Sequence, residues 1–367
     1  MKNTYGNVLT VTLFGESHGS AIGICLDGLS PGIKIDKDYI NHRLDLRKPK
    51  GKISTKRREA DEFEILSGVY NGFTTGTPLC IIIRNKDTRS NDYDNVSRIA
   101  RPAHADLTSH YKYHGFEDYR GGGHFSGRIT AALVAGGAII ASALESKGIY
   151  IGTHIKSCYD VSDREFSDYE NDIKLLNSAD FPVLDKKASE AMISVIEEAA
   201  SEGDSVGGVL ETAVTGVPEG VGEPWFDTVE GSLAKGLFSI PAVKGVEFGK
   251  GFELTRMRGS KANGSLRYLG DKVVSAENHS GGIDGGITNG MPVIFRTAVK
   301  PTPSIFKAQQ SVDFLSHENA QLTLRGRHDP AIVHRARAVV DAVTAITVAD
   351  MLCIRYGTDY LSNSEKK

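Results

Sequence analysis

The sequence predicts a protein of mixed helices and strands (α/β), and three observations lead there. Short β-branched and apolar runs at Val8 to Phe14, Ala21 to Leu26 and Leu79 to Ile83 have strand character. Longer apolar stretches at Ile129 to Ile140, Asp185 to Gly203 and Pro330 to about Cys353 have helical length or spacing. Neither a Gly-x-Gly-x-x-Gly opening after a strand nor a Gly-x-x-x-x-Gly-Lys-Ser/Thr loop occurs, so the fingerprints of the dinucleotide-binding and P-loop folds are absent.

Taken in chain order, the first two strands flank Phe14-Gly15-Glu16-Ser17-His18-Gly19, which puts an acid, a hydroxyl and an imidazole on one glycine-bounded turn. His18 is expected at the tip of that turn, open to a ligand. Asp36 reads as a helix N-cap, with Tyr39, Ile40 and Leu44 on one stripe and Pro49 closing the segment. Arg43 and Arg47 share a face of that helix and begin a cationic run, Lys48, Lys50, Lys52, Lys56, Arg57 and Arg58, interrupted only by Asp45. Such runs are usually solvated. Glu59, Asp61, Glu62 and Glu64 follow at once and partly neutralise it.

Arg101-Pro102-Ala103-His104-Ala105-Asp106 reads as a helix start with proline in the first turn and His104 near the positive end of the dipole. Tyr119-Arg120-Gly121-Gly122-Gly123-His124-Phe125-Ser126-Gly127-Arg128 is a glycine-rich loop that runs into an apolar helix, a geometry that turns backbone N–H groups toward an anion. Further along, Asp227 and Glu230 suggest a capping box for a helix through Phe238. Val206 to Leu210 and Pro292 to Val299 read as strands. His279 to Ile287 holds two glycine pairs suited to close backbone approach, and Lys300-Pro301-Thr302-Pro303-Ser304 offers one cation and two hydroxyls. Arg325-Gly326-Arg327-His328-Asp329-Pro330 opens the last helix, where Asp329 in isolation reads as an N-cap.

The chain of 367 residues has 43 lysines and arginines against 46 acids, a formal net charge of -3. A general nucleic-acid or membrane-surface binder would show a basic excess, so any polyanion site is local. Cys25, Cys80, Cys158 and Cys353 are far apart without a Cys-x-x-Cys pair, and no signal-like segment follows Met1. No disulfide framework and no metal site is indicated, and the cytoplasm is the expected compartment. No apolar run reaches the roughly 18 residues of a membrane span, since Ile129 to Leu144 is diluted by glycine, alanine and serine. Without a composition break or an internal repeat, residues 1–367 are read as one domain.

Gly15 to Gly19, the loop ending at Gly127-Arg128, Asn278 to Gly286, Lys300-Pro301-Thr302 and Arg325 to Pro330 together resemble, in order and interval, the chorismate synthase family over essentially the whole chain. The resemblance implies a β-α-β sandwich with helices between antiparallel sheets, usually a homotetramer. It implies a 1,4-anti elimination that converts 5-enolpyruvylshikimate 3-phosphate to chorismate and phosphate, with reduced FMN (FMNH2) required and no net redox change. At this length no built-in flavin reductase is evident, so an external reductant of flavin is expected.

Carried over by position, His18 is the acid serving the departing phosphate, His104 the proton partner of reduced flavin near N1, and Asp329 the carboxylate that works with flavin N5 to remove the C6 proton. Flavin contacts fall on His124, Phe125, Ser126, Ala242, Gly285, Lys300, Pro301, Thr302, Pro303, Ser304 and Arg327. Substrate contacts fall on Ser17, Arg43, Arg47, Lys52, Arg120, Arg128 and Arg325, because guanidinium forks suit carboxylate and phosphate. Arg47 and Lys52 also fall where some family members contact a nicotinamide cofactor (NADP), which this chain is not expected to use. Three departures stand out: His124-Phe125-Ser126-Gly127-Arg128 replaces the commoner Arg-Ser-Ser-Ala-Arg, Pro241 replaces an asparagine beside Ala242, and Asp341 replaces a glutamate. A flavin or nicotinamide oxidoreductase and a noncatalytic polyanion-binding module around Arg43 to Arg58 are the competing readings.

Overall fold

The computed structural model describes residues 2–51, 53–54, 60–86, 98–324 and 328–362. Its elements begin with β1 (Thr4–Tyr5), β2 (Thr10–Gly15), β3 (Ala21–Asp27), α1 (Lys37–Arg47), β4 (Phe63–Ser67), the small ribbon β5 (Val69–Tyr70) and β6 (Phe73–Thr74), and β7 (Leu79–Arg84). Next come α2 (Asp106–Tyr113), α3 (Thr130–Glu145), β8 (Tyr150–Cys158), β9 (Val161–Ser162), α4 (Tyr169–Ser178), α5 (Lys186–Ser201), β10 (Gly208–Thr215), α6 (Val229–Phe238) and β11 (Val243–Phe248). The chain ends with the short α7 (Gly259–Ala262), hairpins β12 (Leu266–Leu269) to β13 (Lys272–Ser275) and β14 (Ile283–Asp284) to β15 (Ile287–Thr288), then β16 (Val293–Val299), β17 (Gln309–Asp313), β18 (Glu318–Leu322) and α8 (Val333–Tyr356).

Two antiparallel five-stranded sheets, ordered β1-β2-β3-β7-β4 and β11-β16-β10-β8-β9, enclose a helical layer. The α3 helix packs on β3 and β7 of the first sheet and on α8, and α8 packs on β8 and β10 of the second. This is the sandwich that the resemblance implied. Its middle layer must be apolar on every side, and α3 buries all but two of its sixteen residues. Small residues let the layers close: a Cβ on Gly136 would fall 2.9 Å from Ile24 Cδ1, and one on Gly137 would fall 2.5 Å from Ala342 Cβ. By length and composition the Gly127–Glu145 stretch is apolar enough to cross a membrane, contrary to the sequence expectation, but 83% of its apolar window is buried inside the protein.

Local signals mostly act as read. Asp36 caps α1 by accepting from Tyr39 N at 2.9 Å, and Asp185 caps α5 in the same way through Ala188 N. Two caps differ. Thr228, not Asp227, caps α6 by accepting from Gly231 N at 2.9 Å, since Asp227 lies in a preceding 3-10 turn. Asp329 does not cap α8, which starts after Ile332 with no side-chain cap; its carboxylate is drawn instead to Arg335 Nη1 at 2.5 Å.

One buried polar cluster ties the second sheet to its surroundings. His154 on β8 donates to Asp163 Oδ2 at 2.7 Å and to Glu211 Oε2 at 3.0 Å, all three side chains being almost wholly buried. Burial disfavours the imidazolium, but the Asp163 and Glu211 carboxylates outweigh it and raise the His154 pKa. Burial likewise opposes the Asp163 anion, yet His154 and the Leu184 and Asp185 amides hold its pKa low. A raised histidine contributes stability in full below its unfolded value of 6.5 and loses it as pH climbs through the folded value; a lowered aspartate contributes above 3.8 and loses it on acidification. Melting temperature is therefore expected to fall on the alkaline side of pH 6.5 in the wild type, and His154→Gln is expected to flatten that limb when melts are compared across pH. An unchanged limb would remove His154 from the account.

Candidate active site

The β2–β3 connection supplies the first cluster. Gly15 ends β2 at φ +95°, where a Cβ would stand 2.3 Å from Ala21 O, so the reversal requires glycine. Gly19 N closes the turn onto Glu16 O at 3.1 Å. The expectation of an open His18 is corrected: Ser17 is fully buried and His18 only 9% exposed. The cause is the Arg120–Phe125 segment, which folds over the turn and accepts from Ser17 N through Gly123 O at 3.1 Å. Gly121, Gly122 and Gly123 all have positive φ. A Cβ on Gly121 would fall 2.4 Å from His18 Cε1 and 2.8 Å from Ser17 Oγ, while one on Gly122 would fall 3.3 Å from His104 Cε1. One stretch of bare backbone thus touches both imidazoles.

His104 is held from its other side. The α2 helix begins at Asp106, later than the sequence suggested, so Arg101 to Ala105 form the turn before it, with Ala103 at φ +57°. The Asp106 carboxylate accepts from Arg101 Nε at 2.8 Å and Nη2 at 2.7 Å, and stands 2.7 Å from His104 Nδ1. Burial alone would raise the Asp106 pKa, but Arg101 and His104 hold it well below the usual carboxylate range. A permanent anion at Nδ1 orients the ring and leaves its Cε1–Nε2 edge toward Gly122. Beside this edge opens a cleft of about 330 Å³ whose walls include Phe14, Glu16, His104, Tyr113, Asp118 and Phe125.

His124 donates from Nδ1 to Gly15 O at 2.8 Å, and the half-exposed Phe125 ring sits edge-on to Tyr113 at 6.1 Å. Ser126 Oγ accepts from Arg128 N at 3.3 Å. Arg120 forms a two-pronged pair with Asp118, both contacts at 2.8 Å, on the exposed side of the loop. That pairing comes first among the causes that lower the Asp118 pKa, and His18 adds a smaller contribution. Behind the turn, Asp61 is buried between two guanidiniums, Arg47 Nη2 at 2.9 Å and Arg128 Nη1 in closer contact. Burial opposes the Asp61 anion, but Arg47 and Arg128 hold its pKa low.

Two further segments join the rim. Lys300 Nζ donates to Ala103 O, next to His104, and Lys300 N donates to Ala242 O at 3.0 Å. Burial and then Lys244 push the Lys300 pKa below its ordinary value. Pro301, Thr302, Pro303 and Ser304 continue from it; Thr302 O accepts from Ser205 Oγ at 2.7 Å, Pro303 O accepts from Gln309 Nε2 at 3.4 Å, and Ser304 is buried. Asp329 pairs with Arg335, whose Nε donates to Arg47 O at 2.9 Å.

Some expected residues are not gathered here. Arg43 lies among the helices, its Nη2 on Asp341 at 2.5 Å and its Nη1 on Asn177 at 3.1 Å, so its charge is already taken up. Gly285 lies at the start of α6, where Gly286 O accepts from Val229 N, whereas Ala242 follows the other end of that helix. Lys52, Arg325 and Arg327 lie outside the described residues. Asp106, Asp61, Asn85, Asp118, Arg101 and Arg335 were given no site role from sequence; a lone polar residue carries no pattern until its partner is known.

Fold and site together define an enzyme for a small molecule, with the His104 and His124 imidazoles and the glycine loop lining one cleft and the buried His18 turn packed against that loop. The family model described as Chorismate synthase matches residues 9–353. The chain is 45% identical over 358 residues to the chorismate synthase of Dehalococcoides mccartyi strain BAV1, covering 97% of this chain and 98% of that one. It is 46% identical over 355 residues to the chorismate synthase of Aeropyrum pernix, covering 96% and 93%. A solved structure described as the crystal structure of chorismate synthase superposes with a TM-score of 0.76 at 30% identity, covering 96% of this chain and 94% of that chain. The chain belongs to the chorismate synthase family. It is a carbon–oxygen lyase that acts on a phosphate ester.

Proposed function

We propose that the cleft holds 5-enolpyruvylshikimate 3-phosphate against reduced FMN, and that His18, His104 and Asp329 manage the protons of its 1,4-anti elimination to chorismate. The observation that carries this reading is the shared contact of Gly121 and Gly122 with the rings of His18 and His104. The bare backbone of one loop lies against two proton-carrying rings and brings them to one place.

The residues present fit a phosphate-bearing ligand pair. Among the described residues Ser17 Oγ and Thr302 Oγ1 are buried donors with no hydrogen-bond partner, which is costly unless a ligand accepts from them. Lys300 adds a cation on the Thr302 side, and Arg120 and Arg128 flank the glycine loop. In the elimination the C6–H electron pair forms a new ring double bond, the existing double bond shifts, and the ester C–O pair leaves with the phosphate. His18 delivers a proton to the departing phosphate oxygen, and Asp329 accepts the C6 proton. Arg120 and Arg128 hold the anionic groups of the substrate in place, while Arg47 is tied to Asp61. His104, fixed by Asp106, keeps a proton beside the cofactor. When bound, reduced flavin supplies electron density to the allylic centre and is left reduced at the end of each cycle.

The working form proposed is a cytoplasmic homotetramer that receives flavin reduced elsewhere, with no nucleic acid or membrane as partner. An anaerobic assay with dithionite-reduced FMN, following phosphate release against flavin oxidation, is expected to give many phosphates per flavin. One phosphate per flavin oxidised would convert the reading to an ordinary oxidoreductase.

A further inference from the structure

Asn85 stands at the end of β7, one residue after Arg84 pairs with Ala21 across the sheet. Its main chain and its side chain both turn toward the β2–β3 connection. Asn85 N donates to Ser20 O at 3.2 Å. Asn85 Nδ2 donates to Glu16 O and to Gly19 O, each at 2.9 Å. Asn85 Oδ1 accepts from Arg128 Nε at 3.0 Å. Two acceptors on one side and a donor on the other fix which amide atom is nitrogen and which is oxygen. The amide therefore bridges both ends of the turn that carries Ser17 and His18 and locks that turn to a guanidinium, which is itself held by Asp61.

We infer that Asn85 is a positioning residue for the elimination: it holds the His18 turn closed and sets Arg128 against it, so that proton donor and anion clamp keep one relative geometry. The inference rests on the reading of His18 as the acid. No other described side chain donates to both Glu16 O and Gly19 O, and Gly19 itself offers no side chain. A carboxylate at position 85 would keep the acceptor for Arg128 but could not donate to either carbonyl, and those two carbonyls would then face a negative charge.

Asn85→Asp, Asn85→Ala and His18→Ala should be compared with the wild type as full-length enzyme with reduced FMN and substrate. For Asn85→Asp the expected result is a kcat at least tenfold lower, with KM within threefold because Arg128 keeps its acceptor, and a displaced acid limb in the pH profile of kcat. Asn85→Ala is expected to raise KM as well, because Arg128 loses that partner. Melting temperatures establish that the variants are folded, and a Michaelis analysis of the folded fraction separates positioning from stability. Asn85→Asp with wild-type kcat, KM and pH profile, while His18→Ala is inactive, overturns the positioning role and leaves the role of His18 intact. Full turnover in His18→Ala overturns the reading of His18, and the inference about Asn85 falls with it.

Discussion

Replacing His18 by alanine is expected to lower kcat by more than about 100-fold, the usual scale for losing a positioned proton-transfer group. The ring is 9% exposed and lies against Gly121, so bulk water is poorly placed to take over as acid. Substrate affinity should fall far less, because Arg120 and Arg128 remain. Steady-state phosphate release at saturating substrate measures the effect, and the split between kcat and KM assigns it to chemistry rather than binding. Turnover equal to the wild type would remove His18 from the mechanism.

The second large effect is one of stability. Asp61→Ala leaves Arg47 and Arg128 facing each other across a buried space, with Asp61, Arg47 and Arg128 now each below 10% exposed. Removing one partner of a buried ion pair typically costs about 3–5 kcal/mol, because the remaining charge is stranded. Two stranded guanidiniums put Asp61→Ala at the upper part of that range. Denaturant titration should show it, with a loss below about 1 kcal/mol indicating that water or an anion reaches both arginines. Addition of phosphate to the variant provides a check: an anion that enters the gap should restore part of the lost stability.

Much of the scaffold was legible in the sequence because its signals are local. Asp36 and the spacing of the Asp185 to Gly203 stretch announced their helices, the apolar run Leu79 to Ile83 announced β7, and the glycine-rich loop ahead of an apolar stretch announced the entry to α3. The turn at Gly15 to Gly19 and the loop at Gly121 to Gly123 were each visible, but not that one would cover the other. Covering depends on a contact between positions about a hundred residues apart, and no spacing rule encodes it. The same limit explains the cationic run. Arg43 and Arg47 looked like the start of a solvated loop or a pair of ligand clamps, yet Asp341 and Asp61 meet them inside the protein. Asp329 misled for a different reason: an acid before a helix is a good capping signal, and Arg335, six residues on, offered its carboxylate a stronger partner.

The glycine in α3 that meets Ala342 has a reach beyond packing. Gly137 and Ala342 lie about two turns into α3 and α8, and the starts of those two helices carry Arg128 and Arg335, the latter gripping Asp329. This tight contact therefore joins the two helices whose first turns lie beside Arg128 and Asp329. A single methyl added at Gly137 has no room against Ala342 and must push α3 and α8 apart, carrying the starts of both helices with them.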